Sequence, residues 1–291
     1  MNLPIRTISQ LTERLSTAMP WLDKPAAALH KVYEPVFGER GIPILKDALY
    51  GTWLGHPLHP AVTDVPIGCW TSSLILDIAG MEKGADITLK VGTISALGAA
   101  LTGVAQWHDL QNLEEPRRLG TLHAMLNITA TALYAASWVL RARGARPAGI
   151  ALSLTGYGLA SISATLGGDL SYRLGIGVSR VAFDEPSPEW RDALPASGLV
   201  DGALTRVEVE GEAIVLLKDG ETILAASATC THVGGPLDEG DRDGTCVTCP
   251  WHGSAFDLSD GRVIHGPATS PLHAYRTRVE NGTVQVSAAA S

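Results

Sequence analysis

Cysteine is scarce in these 291 residues, with only Cys69, Cys230, Cys246 and Cys249. Four thiols in a chain of this length do not staple a fold, so a disulfide scaffold is excluded. There is no basic excess: 22 Lys and Arg face 30 Asp and Glu, which argues against a nucleic-acid binder. No apolar run opens the chain either. MNLPIRTISQLTERL carries charge where the core of a secretory signal would lie, so no export leader is expected. Ile8, Leu11, Leu15 and Met19 recur there at helical spacing and predict an amphipathic surface helix.

The charge that is present is unevenly placed. From Asp184 onward there are 17 acidic and 7 basic residues, a net charge of −10, whereas residues 1–183 carry +2. Two domains follow, a near-neutral body and an acidic C-terminal domain whose partner surface is basic or neutral. The run Asp238, Glu239, Asp241, Asp243 reads as a solvated loop.

Long stretches of the body lack charge altogether. Pro147 to Gly168 and Leu119 to Leu140 are each 22 residues without Asp, Glu, Lys or Arg, and Val91 to His108 is 18. A helix crosses a bilayer with about 20 mostly apolar residues, so these three read as spans. Ala61 to Ile78 is weaker, with 12 uncharged residues between Asp64 and Asp77. Gly, Ala and Ser in GTISALGAALTG and GIALSLTGYGLASISA let helices pack closely, and the connections are short and charged. The expectation is an all-α transmembrane four-helix bundle in a lipid bilayer. Lys and Arg balance at its two faces, so they do not orient it.

GTWLGHPLHPAVTDVPIG (51–68) and GGDLSYRLGIGV (167–178) resemble the opening and exit of a family of small bacterial membrane domains of unknown function. The resemblance covers roughly 45–178, implies four spans and brings no activity. An antiparallel count sets His56, His59, His108 and His123 near one membrane face. Ionisable groups at membrane depth are costly and usually functional, which adds Asp64 and Asp77. A second redox or metal site is expected among His56, His59, His108, His123 and Asp64. Its occupant is a b-type haem, another metal or a quinone headgroup; the other reading is that these histidines only cap or snorkel. Pro57 and Pro60 directly follow two of them and disfavour helix there.

The C-terminal domain carries Cys230-x-His232, sixteen residues, then Cys249-x-x-His252. Two Cys and two His suit either tetrahedral zinc or a [2Fe–2S] cluster. Zinc patterns pair like ligands, whereas here each stretch supplies one of each. CTHVGGPL and CPWHGSAFD resemble the Rieske [2Fe–2S] family, and residues about 188–288 fit such a domain. The resemblance implies Cys230 and Cys249 on the inner iron and His232 and His252 on the outer one. It implies that HGPATSPL, with Pro267, covers the cluster and that Ser254 and Phe256 tune it. Soft anionic sulfur stabilises ferric iron, while neutral imidazoles lower the negative charge and raise the potential. The bc-type members carry a further bridging cysteine pair, replaced here by Gly235 and Trp251. Ser254 matches their sulfur-directed serine, but Phe256 stands where their tyrosine would be. Cys246, outside the motif, reads as structural. Lys218-Asp219-Gly220-Glu221 and Glu280-Asn281-Gly282-Thr283 are hairpin signals for a small all-β scaffold.

The expected organisation is an N-terminal amphipathic segment (1–44), a four-helix transmembrane domain (45–178), a linker (179–187) and a Rieske domain (188–291). The expected function is a membrane-anchored, ferredoxin-like electron carrier working with a redox partner protein or a quinone. The alternatives are a quinone- or haem-linked membrane oxidoreductase and an iron–sulfur redox sensor. A Rieske oxygenase is not expected, because only 39 residues follow His252. The expected location is the bacterial inner membrane with the Rieske domain on its cytoplasmic side, given no export signal and no bridging disulfide. Without the bridge and the tyrosine, a redox titration should give a potential in the lower half of the family's roughly −150 to +300 mV range. A value near the top would contradict this.

Overall fold

The computed structural model describes residues 8–38 and 41–289, with side chains from residue 12 onward. It forms two compact units that do not follow chain order. One takes the chain up to Gly41 together with Leu58–Ile176, the other takes Ile42–Pro57 together with Gly177–Ser291. The helices are α1 (Ile8–Ala18), α2 (Asp23–Phe37), α3 (Pro43–Tyr50), α4 (Leu58–Ile78), α5 (Glu82–His108), α6 (Glu114–Ala142) and α7 (Arg146–Gly168). All but α3 lie in the first unit.

The apolar stripe expected on α1 is not its buried face. Thr12 and Ser16 are each 3% exposed, while Leu15 and Met19 are half-buried; the side chains of Ile8 and Leu11 lie outside the described residues. The reason is electrostatic. The Thr12 hydroxyl donates to the buried carboxylate of Asp169 where α7 ends, and Arg173 Nε donates to the same group at 3.1 Å. A buried carboxylate must be paired and hydrogen-bonded, and that need outweighs the apolar stripe.

Helices α4 to α7 form two hairpins built to one plan. Asp77 and Arg141, 64 positions apart, pair at 2.6 Å. The same offset relates Trp70 and Tyr134, which stack on each other with ring centroids 4.1 Å apart and planes within 4°. Ser73 Oγ donates to Ala85 O and Ser137 Oγ to Gly149 O, each across 12 positions. A Cβ on Gly92 would come within 2.7 Å of the Trp70 ring, and one on Gly156 within 3.1 Å of Tyr134. Each aromatic ring thus lies where a glycine opens the facing helix. Around the Trp70–Tyr134 stack and Leu89 the buried positions of the bundle are mostly small or polar, while Ile75, Ile87, Ile94, Leu97, Ile128 and Ile162 are 56–64% exposed on the outside. Water does not favour such an inside-out distribution.

By length and composition α5 qualifies to cross a membrane, as does the continuous helix from α7 to Arg173. Helix α6, also read as a span, lacks charge in mid-helix but carries Thr121, His123, Asn127, Thr129 and Thr131, which lower its mean hydropathy.

The second unit holds two antiparallel sheets. Six strands run in the order β1 (Arg191–Pro195), β10 (Thr283–Ala288), β9 (Ala274–Glu280), β4 (Thr222–Ser227), β3 (Glu212–Asp219), β2 (Leu204–Val209). Four short ones follow the order β5 (Asp241–Asp243), β6 (Cys246–Thr248), β7 (Ala255–Asp257), β8 (Val263–His265). The Asn281-Gly282 turn has φ of 51° and 77°, the doubly left-handed pair that a two-residue hairpin needs. Along β3, Ile214 and Leu216 face one apolar cluster and Val215 and Leu217 the other, so the strand is buried on both sides.

Asp77 and Arg141 are 4% and 2% exposed at their side chains, and Asp86 and Arg146 complete the network. Asp77, expected to be functional, is therefore part of the bundle's internal ion pairing. Breaking a buried pair leaves an uncompensated charge, costing about 3–5 kcal/mol. Arg141→Met should lower stability by that order, measured as a lower Tm in detergent, whereas Asp86→Asn, at the rim, should lose about 1 kcal/mol or less. Equal melting of wild type and Arg141→Met would contradict this network.

Candidate metal centre

Two loops of the second unit carry the paired residues, one after β4 and one between β6 and β7. Both are closed in the same way. Cys230 N–H donates to Gly235 O at 2.9 Å, and Gly234 N–H to Cys230 O at 3.0 Å. Cys249 N–H donates to Ser254 O at 2.8 Å, and Gly253 N–H to Cys249 O at 3.0 Å. The fourth residue after each cysteine has positive φ, 88° at Gly234 and 76° at Gly253, where a side chain would be strained. One backbone plan, used twice, presents a cysteine and a histidine from each loop.

The four side chains come together. Cys230 and Cys249 are buried in an apolar cluster with Val247, Phe256 and Leu258. His232 and His252 stand half-buried, their rings perpendicular and 5.2 Å apart. The hydrogen bond from Cys230 holds the Cys249 thiol down to about 7 against burial, helped by the backbone N–H groups of Trp251 and His252. The same sulfur–sulfur contact, then burial, pushes Cys230 up. The two sulfurs thus lie within hydrogen-bond reach of each other. Ser254 Oγ accepts from Ala268 N–H at 3.0 Å, which leaves its own proton for Cys230. Phe256 is fully buried in the same cluster and offers no hydroxyl.

This donor set fits a [2Fe–2S] cluster: two sulfurs within an apolar wall, with two imidazoles toward the open side. The backbone adds a second sign of fit. A Cβ on Gly235 would lie 2.6 Å from Cys249 Sγ and 3.1 Å from the Trp251 ring, so the chain approaches the sulfur closer than any side chain allows. All four cysteines are free thiols. Cys246 is half-buried, and burial, then Asp257 and Asp243, raise its pKa, which keeps it protonated and inert.

The segment from His265 to Leu272 is tied down on three sides. Gly266–Pro267 is a cis peptide, and Thr231 Oγ1 donates to Ser270 O at 2.8 Å. Ala268 N–H is held by Ser254, as above. From α3, Asp47 accepts from Gly266 N–H at 2.7 Å and lies 2.9 Å from His265 Nδ1. Nothing in the sequence pointed to Asp47, which lies 219 positions from Gly266 with no motif to mark it.

The second site expected in the helices does not gather as one. His59 and His123 face each other, centroids 6.3 Å apart and nearly perpendicular. His108 instead stacks on His30, at 4.1 Å and 14°, with Glu34 3.2 Å from its Nε2. Burial, then the nearby His108, lowers the pKa of His30. His56 is exposed beside its neighbour Pro57 O and groups with the other unit, and Asp64 is exposed. The antiparallel count gave each residue its height along the bundle but not the face of the helix on which it lies. His59 and His123 again obey the 64-position offset. Their Nδ1 atoms lie 2.9 Å from Ala99 O and 2.8 Å from Ser163 O, each across 40 positions. That repeat was legible in the sequence as His59/His123, Ser73/Ser137, Gly92/Gly156 and Gly103/Gly167, and was missed because few other positions match.

Comparisons with known proteins agree with this division. Residues 189–276 match the Rieske [2Fe–2S] domain family, and residues 55–180 match a family described as predicted membrane proteins (DUF2231). The ferredoxin CarAc of Metapseudomonas resinovorans is 35% identical over 98 residues, 33% of this chain and 92% of that protein. The cytochrome b6-f complex iron-sulfur subunit of Chlorobaculum tepidum is 33% identical over 95 residues, about half (51%) of its own length. Among solved structures, a complex of reduced oxygenase and oxidised ferredoxin in carbazole 1,9a-dioxygenase contains a chain 32% identical to this one. The match covers 35% of this chain and 94% of that one, with a TM-score of 0.33.

Gly235→Ala tests the close approach to sulfur. The added carbon would displace Cys249 Sγ, so iron and acid-labile sulfide per chain should fall severalfold while the β-sheet circular dichroism persists. Full iron content in Gly235→Ala would contradict the geometry.

Proposed function

The chain belongs to the Rieske [2Fe–2S] family, and from that premise we propose that it is a membrane-anchored one-electron carrier. In this reading Cys230 and Cys249 hold one iron and His232 and His252 the other. The cluster supplies reversible one-electron exchange. The apolar wall around the two sulfurs keeps water from them, and the half-exposed imidazoles give the electron its way in and out. Trp251, 51% exposed beside them, offers an aromatic contact for a partner. Relatives of this domain are ferredoxins and iron–sulfur subunits, proteins that pass electrons to other proteins. The observation that carries the reading is the asymmetry of the site, with buried sulfurs and accessible histidines.

Anchoring rests on the inside-out bundle, with isoleucines facing outward and glycine, alanine and serine inside. We read α4 to α7 as four spans in the bacterial cell membrane, with residues 188–291 as the redox domain on the cytoplasmic side. The partner is a redox protein or a lipid-soluble carrier.

A second reading makes the helices a redox site as well, and one observation favours a metal there over a quinone. A carbonyl oxygen can only accept, so the Nδ1 atoms of His59 and His123 must donate to Ala99 O and Ser163 O. The Nε2 of His59 then presents a lone pair, whereas that of His123 already accepts from Asn127 Nδ2 at 3.1 Å and would have to give up that hydrogen bond to bind a metal. Lone pairs suit an iron, such as that of a haem; a quinone carbonyl needs a donor.

Optical spectra of the detergent-purified chain, oxidised and dithionite-reduced, separate these readings. The carrier reading expects broad absorption that bleaches on reduction, with about two irons per chain, lost in Cys249→Ser. Sharp haem bands abolished by His59→Ala would move the function to the second reading. Zinc in place of iron would end both.

A further inference from the structure

The strongest unassigned feature lies in the helical unit, at the stacked pair of His30 and His108. His30 and Glu34 sit one turn apart on α2, and His108 closes α5 against them. Glu34 Oε2 is 3.2 Å from His108 Nε2 and 3.6 Å from His30 Nε2, and one ligand atom of each residue lies within 4.8 Å of the other two. No other group of three such side chains converges this closely among the described residues. We propose that His30, Glu34 and His108 form a binding site for a divalent first-row transition metal, of the two-histidine, one-carboxylate type.

The distances carry the assignment. A metal bonded at roughly 2.1 Å to tetrahedral ligands sets its donor atoms about 3.4 Å apart. The two separations that involve Glu34 fall on either side of that value. The rings of His30 and His108 stack within 14° of parallel, so binding one ion requires one of them to rotate out of the stack until both Nε2 lone pairs meet at it. Two nitrogens and one carboxylate oxygen make a borderline donor set, suited to zinc, iron or cobalt rather than to calcium or magnesium.

Burial gives the site its polarity. His108 is 5% exposed, and its Nδ1 is buried with no hydrogen-bond partner; Asp109 Oδ1 lies 3.7 Å away. A carboxylate behind the far nitrogen of a metal-bound histidine fixes its tautomer and raises its basicity. On the opposite side Glu34 is 51% exposed. Three protein ligands with one open flank leave a coordination position to solvent, as in sites that take an exogenous ligand and unlike closed structural sites. The bland reading of the same contacts is a glutamate shared by two imidazoles, and it binds no metal.

The test uses the full chain, cluster-loaded and in detergent, incubated with Zn²⁺, desalted and assayed for metal. One zinc per chain beyond the cluster iron is expected, with the cluster absorption unchanged. Co²⁺ in place of Zn²⁺ should give the intense visible bands of four-coordination. Removing a ligand should weaken binding by at least about 10-fold, the smallest effect of losing even an outer partner. Glu34→Gln carries this arm, since a half-exposed side chain can change without unfolding α2; His30→Ala is its companion. No zinc retained by the wild type, or equal retention by wild type and Glu34→Gln, would overturn the site. The readout is independent of the Rieske reading, because the difference between Glu34 and Glu34→Gln persists in a chain in which Cys230, His232, Cys249 and His252 are all replaced.

Discussion

Everything proposed for the second unit depends on two thiols being brought together where water cannot solvate them. A buried thiolate is costly unless a cation or a metal compensates it. Here Cys230 and Cys249 face each other inside an apolar cluster, an arrangement of little use to an apolar core and well suited to a ferric ion. The surrounding structure serves that contact. Two glycines in the left-handed region turn the loops, Gly235 brings backbone against sulfur, and Ser254 ties the second loop to the segment that carries Pro267. The sheets behind the loops are packed on both faces of β3, so the loops rest on a frame with little freedom. A site that keeps its shape when it gains or loses an electron has little to reorganise, which is the physical requirement of a carrier.

The helical unit solves a different problem by repetition. One hairpin plan, repeated at an offset of 64 positions, places Trp70 against Tyr134, His59 against His123, and Asp77 against Arg141. Where the two copies differ, they are complementary: acid against base at one end, aromatic on aromatic in the middle. Small residues let the helices approach, and the large aliphatics are turned outward. An apolar exterior over a polar seam is how a bundle meets lipid, and it agrees with the predicted-membrane-protein family matched over residues 55–180.

The all-β character of the C-terminal domain, its hairpins and its Cys/His set were legible because each is local: a turn is two residues, a loop ligand pair is three or four. The helices were legible from missing charge. What escaped was mostly long-range or rotational. Asp47 reaches the Pro267 segment from the other side of the bundle in sequence, and no pattern announces it. The polar face of α1 is buried because Asp169, far along the chain, needs a donor. Histidines counted to one membrane face separate into different clusters, because antiparallel counting gives height and not azimuth. The repeat alone was present to be read, through a handful of identities spaced alike.

Two properties define an anchored carrier, a cluster that stays with the membrane and one that cycles without loss. Both are read by washing membranes that contain the protein at alkaline pH and following the iron–sulfur absorption through repeated reduction and reoxidation. The account predicts that the absorption remains in the washed membranes and recovers fully in each cycle, with iron unchanged. Release of the chain into the wash, or loss of absorption and iron on the first reoxidation, would contradict it.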